Sequence, residues 1–131
     1  MTTGIQIGRA IAALLAAHQG LHAAVGSKVF PIVSKEGTSY PFVVYRRNGI
    51  EVSYTKDGKA GETVNVDIVV AAQSYAQSVG IADMVREAVE GKAFVLDNTL
   101  KVYNVHLAGA DEEFFDDSNV YTQSLNFNFY L

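Results

Sequence analysis

The sequence predicts an α+β fold in two layers, an antiparallel β-sheet with two helices packed on one face. Three observations carry this. Two segments repeat apolar residues at helical spacing. Others alternate apolar and polar residues, as strands with one dry and one wet face do. The order is helix, three strands, helix, two strands, and such alternating strands belong to antiparallel sheets, since buried parallel strands read as continuous apolar runs.

The first helix starts at Thr3, which has capping-box spacing to Gln6. Ile7, Ile11, Leu14 and Leu15 form its apolar stripe, and the alanines between them are strong helix formers. Gly20 is the expected stop, with room for one more turn over 21–25 before Gly26. Val29–Val33 is a short strand whose Pro31 assigns it to an edge or a bulge. After a loop over 37–41, Phe42–Arg47 is a strand, and Asn48-Gly49 marks a turn or bulge before Ile50–Tyr54 continues it. The polar, Gly-rich stretch Thr55–Gly61 is a hairpin tip. In the next strand Val64, Val66, Ile68 and Val70 face one way, Asn65 and Asp67 the other.

Ser74 and Gln77 open the second helix, and Ile81, Met84, Val85, Ala88 and Val89 form its apolar stripe. Gly91 ends it, while Gly80 inside it is expected to mark close packing on the sheet. Leu100–Leu107 reads as one strand, the acidic stretch 108–119 as a loop, and the chain ends on a strand in which Leu125, Phe127 and Phe129 alternate with Asn126 and Asn128.

With 131 residues, 49% hydrophobic and 18% charged, residues 1–131 read as a single domain with a core of its own. There is no Cys, so no disulfide framework, thiolate metal site or Cys nucleophile exists. A net charge of −4 argues against a general nucleic-acid binder. No apolar run reaches the roughly 20 residues of a membrane span, and Met1-Thr2-Thr3-Gly4 lacks the basic start of a signal peptide.

The search for chemistry returns little. His18 and His22 stand four apart but lack a carboxylate nearby in sequence, and they read as flanking a helix end, where a cation suits the dipole. His106 is alone on a strand. Asp111, Glu112, Glu113, Asp116 and Asp117 lack the Ca²⁺-loop spacing and read as a solvated loop or a charged contact with a partner. The Asp57–Gly61 stretch precedes a strand and is no phosphate loop, and no Gly-x-Ser-x-Gly elbow is present. Catalytic residues, metal ligands and cofactors are therefore expected to be none.

What remains is surface. The wet faces bearing Asn65, Asp67, Asn126 and Asn128 are either simply exposed or meet another subunit. The tip with Tyr54, Lys56, Asp57 and Lys59 is either an arm that orders on binding or a mobile loop. These residues are the candidate assembly contacts.

In this order, the elements resemble the small tail-completion, or head–tail joining, proteins of long-tailed bacteriophages and prophages. The residues that carry the resemblance run nearly the whole chain. They are the Ala- and Leu-rich first helix, Leu21–Gly26 with Val29-Phe30-Pro31, Pro41–Tyr45, the Tyr54–Gly58 hairpin, Val66-Asp67-Ile68, Ser74-Tyr75-Ala76, Ile81–Val85 with Gly91, and Tyr121, Leu125 and Phe127 in the last strand. One departure is that Ala71-Ala72 stands where members often carry Trp.

The resemblance implies a structural protein and not an enzyme. It implies a homo-oligomeric ring, often hexameric, at the end of the tail tube, in the tail or neck of a virion and made in the bacterial cytoplasm. Its partners would be the tail tube protein and the head connector or stopper proteins, with no membrane. DNA would pass through without being specifically bound, helped by an acidic lumen. The competing expectations are a small α+β ligand-binding or enzymatic domain with a pocket between sheet and helices, and a dimeric regulatory subunit paired through an edge strand.

Overall fold

The computed structural model describes residues 3–131, with Lys59 described by its backbone alone. Met1 and Thr2, read above for a leader, and the Lys59 side chain, read above as a contact, lie outside the described residues.

Thr3 caps a short 3-10 turn, Gly4–Gln6, by accepting from the Ile5 N–H. The capping box with Gln6 does not close, because the Gln6 side chain accepts from Arg9 instead. Helix α1, Ile7–Ala17, buries Ile7, Ala10, Ile11 and Leu15 along one stripe. It stops at His18 and not at Gly20. His18 leaves the helical region (φ −84°, ψ 109°), and its Nδ1 accepts from the Leu21 N–H at 3.0 Å, which starts α2, Gln19–Val25. Gly20 falls inside α2, where a Cβ would stand 3.1 Å from Met84 Sδ. It serves close helix packing. The expected two helices are therefore three, the first being split in two.

Strand β1, Val29–Pro31, lies at an edge as its proline requires, but pairs in parallel with β2, Phe42–Thr55. The long loop between them carries the chain back along the sheet before β2 begins, so this edge departs from the antiparallel rule. The register skips between Arg47 and Gly49, so Asn48 is a bulge inside one continuous strand. β2 turns through Lys56-Asp57 into β3, Gly58–Ala72. The tip expected over 55–61 is thus mostly strand, with Thr55 opposite Gly58.

Helix α3, Tyr75–Val89, begins as Ser74 accepts from the Gln77 N–H and ends before Gly91, whose φ of +75° favours glycine. The expectation for Gly80 is corrected: it is exposed, and a Cβ there would meet nothing within 4 Å.

The expected strand Leu100–Leu107 is two. Phe94–Leu96 (β4) and Leu100–Val102 (β5) form a separate two-stranded hairpin. Tyr103 then donates its N–H to the Tyr130 oxygen at 2.7 Å, moving the chain onto the main sheet. There β6, Asn104–Phe115, pairs antiparallel with β7, Val120–Tyr130. The acidic stretch expected as a loop is therefore largely strand. Asp111, Glu112 and Glu113 stand opposite Ser124, Gln123 and Thr122, and the long β7 supplies the ladder that overrides their low strand propensity.

The main sheet runs β1-β2-β3-β7-β6. Its inner face buries Val64, Val66, Ile68, Val70, Phe127 and Phe129 under the helices. Among the described residues no helix covers the outer face, on which Asn65, Asp67, Asn126 and Asn128 stand half-buried.

Candidate assembly surfaces

The outer face of the sheet brings the candidate amides together. Register sets Asn65 opposite Asn128 and Asp67 opposite Asn126. Asn65 Nδ2 donates to Asn126 Oδ1 and Asn128 Oδ1, each at 2.8 Å. Asn126 Nδ2 donates to Asn65 Oδ1 at 2.9 Å and to Asp67 Oδ1 at 2.7 Å. The bulged Asn48 adds a donor to Asn65 Oδ1 at 2.9 Å. The result is a ladder of amides across three strands, ending on a carboxylate. Such a ladder fixes strand register and presents a flat polar surface.

The β2–β3 hairpin supplies a second surface. β7 begins to pair with β3 at Thr63, so the hairpin beyond that point stands clear of the sheet. Tyr54 is 74% exposed, and Lys56 and Asp57 are exposed in the turn. The structure does not bring this tip together with the amide ladder. They are separate surfaces joined by the same two strands.

Two further surfaces stand out, of which the sequence reading gave the first only as a solvated acidic loop or a charged contact with a partner. The first is the corner where β6 turns into β7, at the opposite end of the sheet from the β2–β3 tip. Phe114 and Phe115 are 45% and 42% exposed, and Phe114 rests 4.7 Å from the ring of Tyr121. Beside them Glu112 accepts from Tyr75 Oη at 2.9 Å and from Gln123 Nε2 at 3.0 Å. The bond from Gln123, then that from Tyr75, holds the Glu112 carboxyl below the usual carboxylate range. The same carboxylate, through its hydrogen bond and then its charge, raises the Tyr75 hydroxyl. The legible signal was an aromatic pair set among acids, in a stretch after Lys101 without a single Lys or Arg.

The second is a groove of about 210 Å³ at the β1 edge, between the start of α1 and the sheet. Ile5, Ile32, Tyr45 and Arg47 line it, while Arg46, also part of its wall, stands opposite Asp67 and so turns its side chain to the outer face. Arg47 Nη1 donates to the Ile5 oxygen at 2.7 Å, which ties the rim to the helix start. Ile32 and Ile5 are 72% and 61% exposed. No local sequence pattern marks the groove, because its walls come from segments far apart in the chain.

Chemistry is sparse elsewhere. His18 spends Nδ1 on its cap and faces Glu87 with Nε2 at 3.4 Å. His106 packs on Tyr130 and bonds Asn104 at 2.8 Å. Among the described residues no group of three or more His, Cys, Asp or Glu could hold a metal ion. Among them, too, no helix is long and apolar enough to cross a membrane. What this arrangement offers is exposed polar, grooved and protruding surface.

The family model described as tail completion protein gp17 matches residues 9–131. Among solved structures, a chain from the virion of a native gene transfer agent particle has the same fold. It is 20% identical, with a TM-score of 0.75 over 92% of this chain and 90% of that one. No curated protein matches the sequence.

Proposed function

The chain belongs to the tail completion protein gp17 family, which makes it a phage-type structural virion protein, and from that premise we propose that it closes the end of the tail tube as a ring and joins the tail to the head. Its partners are then copies of itself, the tail tube protein below and the head connector or stopper proteins above. It sits in the neck of the virion, and DNA passes through the ring without specific contacts. The molecule carries out no catalysis in this role; its free energy goes into contacts.

The family match over nearly the whole chain carries this reading. The geometry supports it. A sheet with one uncovered polar face, a hairpin that stands off the body and two further surfaces at opposite edges suit a protein with several neighbours at once. We assign Tyr54, Lys56, Asp57 and Lys59 at the hairpin tip to contacts along the tail axis, and the ladder of Asn65, Asp67, Asn126 and Asn128 to a subunit interface.

Tails assembled without this protein provide the test. Adding purified protein is expected to cap them and make them competent to join heads. Tails that join heads equally well without it would refute the reading. Shortening the Lys56–Gly61 tip is expected to leave the thermal unfolding midpoint within a few degrees of the parent, because the tip lies beyond the β7 ladder, while head joining falls at least tenfold. Full joining by that variant would remove the arm from the account.

A further inference from the structure

We propose that the two edges of the sheet are the two halves of one contact, in which the Phe114–Phe115 corner of one copy seats in the Ile32 groove of the next. This rests on the ring reading above and names the surface through which the ring closes.

Charge is the first argument. Up to residue 50, Lys28, Lys35, Arg46 and Arg47 face a single acid, Glu36, the remaining base, Arg9, being paired with Asp97. After Lys101 the chain carries Asp111, Glu112, Glu113, Asp116 and Asp117 and no Lys or Arg. Folding sends these two segments toward opposite edges, since β1 and β6 are the outermost strands of the sheet. Each copy is thus basic on one flank and acidic on the other, and opposite flanks attract.

Shape is the second. The acidic flank carries two exposed aromatics, and the basic flank holds an apolar groove with the Arg47 guanidinium beside it. Arginine forks match carboxylates, so Glu113 or Asp116 beside the aromatic pair would meet Arg47, whose guanidinium stands at the groove.

The backbone also favours side-chain docking over strand addition. β1 has almost no free donors: the N–H groups of Val29, Ile32 and Val33 are bonded to Ser27, Tyr45 and Pro31 oxygens, and Pro31 has none. Ile32, at the groove, holds φ at +68°, which a β-branched residue rarely adopts. Asn or Gly would suit that backbone better, yet an exposed Ile stands there.

Because donor and acceptor surfaces differ and lie on opposite flanks, the contact is head-to-tail. Such contacts close into rings when the rotation per copy allows. Along the strands, the Phe114–Phe115 corner and the groove are offset by several residues, because Glu113 stands level with Phe42 while the groove flanks Tyr45–Arg47. Successive copies would therefore be tilted against one another.

The absence of native cysteine allows a clean trap. Ile32→Cys and Phe115→Cys variants are oxidised separately and as an equimolar mixture. The mixture is expected to give at least tenfold more cross-linked dimer than either variant alone, and the doubly substituted chain a ladder of multimers. Equal yields in all tubes, or no cross-link while the parent protein oligomerises, would overturn the contact.

Ile32→Asn is the complement. It is expected to keep or raise the unfolding midpoint and to weaken self-association at least tenfold. An oligomer that Ile32→Asn leaves unchanged removes this contact alone. A parent protein that stays monomeric at every concentration removes the ring reading itself.

Discussion

The imidazole of His18 stands where Ser, Thr, Asp or Asn ordinarily caps a helix. With Nδ1 accepting from Leu21, the neutral ring carries its proton on Nε2, toward Glu87. His18→Ala is expected to lower stability by about 1 kcal/mol, and His18→Asn by much less, in chemical unfolding. Gly80 makes the opposite case. It occupies an exposed, uncrowded place in α3, so Gly80→Ala is expected to raise stability by about 0.5–1 kcal/mol, read as a rise of a few degrees in Tm.

At the β6–β7 corner the sign of a pH effect follows from Glu112, whose folded pKa is depressed by Gln123 and Tyr75. Its contribution is fully present above the ordinary carboxylate pKa and is lost as pH falls through the folded value, because the unfolded chain takes up the proton first. Tyr75 is raised by Glu112, through its hydrogen bond and then its charge. Its contribution is present below the ordinary tyrosine pKa and is lost as pH rises through the folded value. Glu112→Gln should flatten both limbs of the stability–pH profile, the effect being small because the groups are exposed. A profile identical to the parent's on both limbs would contradict the assignment.

Elements were legible where local pattern and burial agree. The stripe of Ile7, Ile11 and Leu15, the alternation of Val64, Val66, Ile68 and Val70, and that of Leu125, Phe127 and Phe129 all face the core as their spacing demands. Ser74 caps α3, Pro31 keeps β1 at an edge, and the bulge falls at Asn48. What was not legible depended on partners distant in sequence. The parallel pairing of β1 is chosen by the loop that follows it, not by Val29–Pro31. The Asp111–Glu113 stretch is a strand because β7 offers a ladder, against the preference of the residues themselves. The break at His18 turns on one side-chain bond that no spacing rule anticipates.

The candidate surfaces divide in the same way. The hairpin tip and the amide faces were read from alternation and turn chemistry. That Asn65, Asn126 and Asn128 bond one another became visible only once register set them side by side. The groove at Ile32 joins residues from three segments and leaves no trace in any one of them.

For the whole molecule, a basic flank, an acidic flank and one open sheet face describe a unit built to have neighbours. Net charge of −4 understates this, because it sums a basic N-terminal segment with acidic ones. Raising the salt concentration should therefore weaken self-association, while leaving the buried core unaffected. The central claim is that copies of this chain close on one another at the end of a tail. The most direct measurement is the mass of the purified protein by light scattering as concentration is raised, with electron microscopy of the heaviest species. The account predicts a discrete closed ring, a fixed whole-number multiple of 14.2 kDa. A protein that remains monomeric throughout, or grows into open chains of no fixed size, would contradict it.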